Sequence, residues 1–192
     1  FYNKKGFENN TSTYIFNKIN TAASPINNED KIPLQQLYNA RKDHDLLSES
    51  EALGRLAYNF SQRGNISEAI QYRLAQILVV QQYGDTEEEA YCFQFLGDNY
   101  AKAGNIEKAQ ESFEESLKLH NISGTKHRVA RIYDRLGKLK LGTGDYNKAE
   151  ELFLEGLKLE REIGYAPLGE AMFLIELSKI SFLNHDDKLA EK

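Results

Sequence analysis

The sequence predicts an all-α, right-handed superhelical solenoid of antiparallel helix hairpins, and three features of its 192 residues carry that prediction. Gly64, Gly104 and Gly144 stand forty residues apart, each followed by Asn or Asp, then an apolar residue, with Ala at the fifth place on. A second set, Gly84, Gly124 and Gly164, falls twenty residues after each of them. Between the glycines the apolar residues recur at helical spacing, with no alternating strand pattern. Self-similarity at a fixed period marks a stack of repeated units, each burying its apolar face against the next.

The first 33 residues differ from the rest, with seven asparagines and two of the three prolines. A short helix over Thr13–Ala22 is expected there, followed by another over Leu34–Asp43. His44 falls in register with Gly84, so residues 1–45 are read either as a capping segment or as a degenerate repeat whose second helix is Leu34–Asp43.

Residues 46–192 read as three full repeats and a truncated fourth. The first helix of each repeat carries Leu53, Phe93, Tyr133 and Phe173 in one column. Leu56, Leu96 and Leu136 follow three residues on, then the small residues Ala57, Gly97 and Gly137, then Phe60 and Tyr100. This i, i+3, i+4, i+7 spacing is one face of a helix, broken by Lys140 and Glu176. The second helix carries Ile106, Ala109, Phe113 and Leu117, matched by Tyr146, Ala149, Phe153 and Leu157, and by Ile66, Ala69, Arg73 and Ile77. The alanines let two helix backbones approach closely. Gly84, Gly124 and Gly164 suit left-handed C-terminal caps. Asn65, Thr86 and Thr125 are the expected N-caps, with Glu68, Glu87 and Glu107 in first turns.

At the C-terminal end Asn184 stands where the next turn glycine belongs. A second helix is expected to begin at Lys188-Leu189-Ala190. The apolar residues Phe173, Leu177 and Ile180 are then expected to form an open face, and the parent chain to continue into further repeats or another domain.

Composition narrows the function classes. The net charge is −5, with both signs interspersed and no basic block, so no nucleic-acid footprint is expected. No apolar run approaches the ~20 residues that span a bilayer, so no direct membrane insertion is expected. Cys92 is the only cysteine and cannot form an internal disulfide, which leaves the compartment open between cytoplasm and, for a membrane sensor, periplasm. His44, His120, His127 and His185 lack metal-ligand spacing, and His120 and His127 are expected to be solvated beside a turn. Asp43-His44-Asp45 has no nucleophile beside it. No catalytic residue, metal or cofactor is therefore expected.

The small and aromatic positions quoted above resemble those of the tetratricopeptide repeat (TPR) family over about residues 46–192. The usual repeat is about 34 residues long. The forty-residue period and the missing Pro after the second helix are similar to the variants in kinesin light chains and bacterial regulators. The resemblance implies that the first helices line a concave face. The residues it would turn toward a ligand are Glu51, Arg55, Tyr58 and Gln62, then Tyr91, Gln94, Asp98 and Lys102, then Arg131, Asp134, Arg135 and Lys138. Arg131 and Arg135 lie one turn apart, and two guanidiniums so placed can fork onto a carboxylate. TPR domains that hold acidic chaperone tails use basic residues at those two positions, but Gly54, Tyr58 and Phe95 stand where they also need a Lys and two Asn. The candidate groove is Arg131, Arg135, Lys138, Tyr58, Tyr91, Gln94 and Asp98. The implied function is a protein- or peptide-binding scaffold. The alternative is the sensory or regulatory region of a bacterial histidine kinase or transcriptional regulator, with its output domain beyond the chain end.

Overall fold

The computed structural model describes the backbone of residues 27–164 and 167–190, and the side chains as far as Leu183. The expected helix over Thr13–Ala22 lies outside the described residues. Those described form eight helices and no strand: α1 (Asn28–Asp43), α2 (Leu46–Gln62), α3 (Ile66–Tyr83), α4 (Thr86–Lys102), α5 (Ile106–Ser123), α6 (Lys126–Gly142), α7 (Tyr146–Ile163) and α8 (Pro167–Ala190). The architecture is the all-α, hairpin-repeat solenoid class. From α2 to α7, helices of 17 and 18 residues alternate.

The punctuation between helices is regular. Residues 64, 84, 104, 124, 144 and 164 are all glycine at φ between 73° and 80°, a region that an L side chain enters only at a cost. His44 occupies the same conformation at φ 56° and is the one non-glycine to do so among the described residues. After it, the Asp45 amide bonds back to the Ala40 carbonyl at 2.9 Å, as the Asn65 amide does to Phe60 and the Asp145 amide to Lys140. This bond, reaching back five residues, is the signature of the Schellman ending. At Gly84 and Gly164 the glycine amide instead bonds four residues back, to Val80 and Glu160.

After three of the left-handed positions, 44, 84 and 144, an aspartate caps the next helix. Asp45, Asp85 and Asp145 accept from the amides of Ser48, Glu88 and Lys148. Asp85, not Thr86, therefore caps α4, because its carboxylate sits where it reaches the third amide of the first turn. Asn65 and Thr125 hold the cap position without a side-chain bond. The Ser48 hydroxyl and amide hold the Asp45 carboxyl below its ordinary range.

The chain divides between Asn105 and Ile106 into two compact units. In the first, each helix packs on the next from α1 to α4. Its core joins Leu34 and Leu37 of α1 to Leu53, Leu56, Ala57 and Phe60 of α2 and Ala69 and Tyr72 of α3. Phe60 and Tyr72 stack with ring centroids 5.3 Å apart. Buried Asp30 pins α1 to α2, receiving Arg63 at 2.6 Å and the Asn59 amide at 3.1 Å. A buried carboxylate needs such partners to offset its desolvation.

In the second unit α5 packs on α6, α6 on α7 and α7 on α8. The core is built on Ala130, Ala149, Phe153, Leu157, Phe173 and Ile180. Rings meet bare backbone here: a Cβ on Gly137 would stand 2.4 Å from the Phe153 ring, and one on Gly156 would stand 2.3 Å from Phe173. The two breaks in the apolar stripe are satisfied. Lys140 donates to Gln110 at 2.7 Å, and Glu176 receives Lys179 at 3.1 Å.

Three expectations fail in this unit. Helix α8 runs unbroken through Asn184 for 24 residues; no glycine stands there to reverse the chain, and Asn is tolerated inside a helix. Phe173 and Ile180 do not form an open face, since they are buried in the core of this unit. The exposed apolar residues of α8 are instead Leu168, Met172, Leu174, Ile175 and Phe182. His120 is not solvated but 0 % exposed, because the last turn of α5 points it inward beside buried Leu119 and Ser116, whereas His127 is exposed.

Candidate functional site

Helix geometry decides which residues of the first helices reach solvent. On α4, Tyr91, Phe95 and Asp98 are spaced four and three apart and so share a face. Phe95 is 39 % exposed, with Tyr91 and Asp98 half-buried. Their register mates on α2 are Glu51, Arg55 and Tyr58, all exposed, Tyr58 by 58 %. On α6 of the second unit the mates are Arg131 and Lys138, both exposed, and half-buried Arg135.

Gln94 was expected on that face and is not there: it is 2 % exposed. A one-residue step turns a helix by about 100°, which carries residue 94 off the open column. Its register mates agree, since Asp134 is buried and a Cβ on Gly54 would stand 2.8 Å from the Gln76 amide. Phe95 is the aromatic residue that belongs to the open column. It falls in register with Arg55 and Arg135, which could have revealed it from sequence.

The charges on α6 are unequal. Lys138 donates to Asp134 at 2.9 Å and lies 3.8 Å from Glu176, so its charge is largely matched within its own unit. The Arg135 guanidinium touches the Arg131 carbonyl at 3.4 Å. Arg131 is exposed.

Beside the open column of α4 lies a polar network reaching from α2 through α3. Ser50 donates to Glu88 at 2.6 Å, the Gln76 amide bonds Ser50 at 3.1 Å and Glu88 at 3.3 Å, and the Tyr83 hydroxyl also donates to Glu88. Burial, together with Glu88, pushes the Tyr83 hydroxyl up. Burial likewise pushes the Cys92 thiol up to about 12, so this cysteine stays a protonated, inert thiol. Tyr91 and Phe95 stack at 6.4 Å with 17° between their planes. Sequence reading missed Arg73 as a site residue, although the signal was present: it stands where Phe113 and Phe153 stand in the other repeats.

The tetratricopeptide repeat family matches residues 48–122 and 88–162, together more than half of the chain. The chain belongs to the tetratricopeptide repeat family. Among solved structures, it is similar to BtubC (BKLC) from P. vanneervenii, at 18 % identity and a TM-score of 0.74, over 84 % of this chain and 67 % of that one. It is also similar to a putative kinesin light chain of Podosopora anserina with nearly identical TPR-like repeats. A singly substituted form of that protein gives 13 % identity and a TM-score of 0.62, over 85 % of this chain and 88 % of that one. A second structure of the Podosopora anserina protein gives a TM-score of 0.55. At these identities the likeness shows the fold. No curated protein matches the sequence. TPR arrays are repeat scaffolds that generally mediate protein interactions. No helix among the described residues is long and apolar enough to cross a membrane, and none of their His, Cys, Asp and Glu side chains group to hold a metal.

Proposed function

We propose that this TPR chain is a non-catalytic scaffold that binds a protein or peptide segment through the open columns of its first helices. The observation that carries this reading is the run of aromatic side chains on one face of α2 and α4, exposed Tyr58 and Phe95 and half-buried Tyr91. Such rings supply rigid, amphipathic contact area at low entropic cost. Asp98 shares the open face of α4, and Arg131 and Arg135 hold the matching register positions on α6 of the second unit, with Lys138 a weaker contributor because Asp134 already holds it. Carboxylate-bearing segments suit the arginines, and the interspersed charges of the chain do not suit nucleic acid. Residues 1–45 are proposed to cap the array, with α1 as the second helix of a degenerate repeat.

Selection from a displayed random peptide library, on wild type and on the Arg131→Ala, Arg135→Ala double variant, tests this. Peptides enriched on wild type are expected to bind the double variant at least tenfold more weakly, a loss of about 1.4 kcal/mol. Binding should weaken further with salt, because exposed charges are screened, and the thermal melt should not move. Equal affinity for both proteins would place the site elsewhere.

A further inference from the structure

Two repeats place a phenylalanine in the middle of the second helix, Phe113 and Phe153, and both are buried. The first repeat places Arg73 there, only 7 % exposed. A buried guanidinium without a carboxylate partner is costly. Arg73 has only neutral groups against it: the Gln76 amide oxygen accepts one of its hydrogens, the protonated Cys92 thiol lines a cavity with it, and the Phe95 ring lies 5.0 Å from the guanidinium carbon. Glu88 and Asp98 act on it as more distant charges, and both oxygens of Glu88 already serve Ser50, Gln76 and Tyr83. The Arg73 Nε is buried and has no hydrogen-bond partner. Burial lowers the pKa of this guanidinium below its ordinary value, so the surroundings do not match its charge.

A cavity of about 390 Å³ opens onto this group, within the size range of small-ligand sites. Its wall includes the stacked Tyr91 and Phe95 rings, and the carboxylates of exposed Asp85 and Glu87 and of half-buried Glu88 also line it.

We propose that this cavity receives a single carboxylate of a peptide ligand on the Arg73 guanidinium, with an apolar neighbour of that carboxylate laid against Tyr91 and Phe95. The ligand supplies the negative charge that the buried guanidinium lacks, and a carboxylate matches the planar fork. Asp85, Glu87 and Glu88 repel negative charge in the cavity, which disfavours phosphate and polyacidic tracts and favours a single carboxylate with a basic residue next to it. The inference rests on the peptide-binding reading and names the ligand group for its α3–α4 part.

The test follows the Arg73 Nε–H resonance by NMR during titration with three probes. N-acetyl-phenylalanine offers a chain-terminal carboxylate, N-acetyl-aspartyl-phenylalaninamide a side-chain carboxylate, and N-acetyl-phenylalaninamide neither. A saturable shift with one or both carboxylates and none with the amide is expected, and which of the two binds identifies the source. Arg73→Lys should weaken the response at least tenfold. Arg73→Met should abolish probe binding, read from the ligand signals, while melting at the same or a higher temperature, because it removes an unmatched buried charge. Equal shifts for carboxylate and amide overturn the proposal. So does no saturable shift, or a lower melting temperature for Arg73→Met. If library peptides bind wild type and Arg73→Met alike, the carboxylate site fails and the scaffold reading stands. If the probes bind at Arg73 but no library peptide is enriched, the scaffold reading fails and the cavity assignment stands.

Discussion

His44 adopts φ 56° and ψ 34° at the end of α1, where glycine stands at every later turn of the same kind. An L side chain in this region costs about 1–2 kcal/mol. Glycine gives back about 0.5–1 kcal/mol of that through its greater freedom in the unfolded chain. His44→Gly is therefore expected to stabilise the protein by about 0.5–1 kcal/mol. Urea unfolding checks it, the midpoint rising while the slope stays the same. A lowered midpoint would mean that the His44 side chain makes a contact worth more than its backbone strain. The residue was legible in the sequence only through the forty-residue register, since nothing local distinguishes it from any polar turn. Arg73 is a like case: its local sequence says charged and exposed, and only its register with Phe113 and Phe153 marks a buried position.

Helices α6 and α7 meet where the Phe153 ring rests against the bare backbone of Gly137. Gly137→Ala sets two effects against each other. The substitution gains about 1 kcal/mol of helix propensity, but a Cβ 2.4 Å from the ring overpacks the interface at about 1–3 kcal/mol. Steric cost should win, with a net loss of up to about 2 kcal/mol in a thermal melt. A gain in stability would show that the ring swings aside freely. Helix positions and lengths were legible because glycine punctuation and the apolar stripe agree at every turn. Two kinds of information were not. Caps slip by one residue when adjacent Asp85 and Thr86 are both able to accept, and only geometry chooses between them. The phase of the open column also slips, because residues 94 and 95 differ by one step in sequence but by about 100° around the helix. The end of α8 was misread for a simpler reason: periodicity demanded a turn at Asn184, and the residue that makes such turns is absent.

At the scale of the whole molecule, two compact units meet in sequence at Asn105 and Ile106, and the same period runs through both. Left-handed residues recur at 44, 64, 84, 104, 124, 144 and 164, so a residue and its counterpart forty places on occupy the same point of their helices. That makes the gene divisible. Excising residues 74–113 joins the first half of α3 to the second half of α5 with every downstream stripe in phase. Excising 74–112 leaves one residue too many and rotates the second half of the hybrid helix by about 100°. The first deletion should yield a shorter, cooperatively melting helical protein, and the second a chain that loses its cooperative transition, both followed by circular dichroism. Equal behaviour of the two would show that the period is not what holds the array together. A sequence with this arithmetic can gain or lose a hairpin in a single recombination event between its own copies, and its length is thereby free to vary in steps of forty.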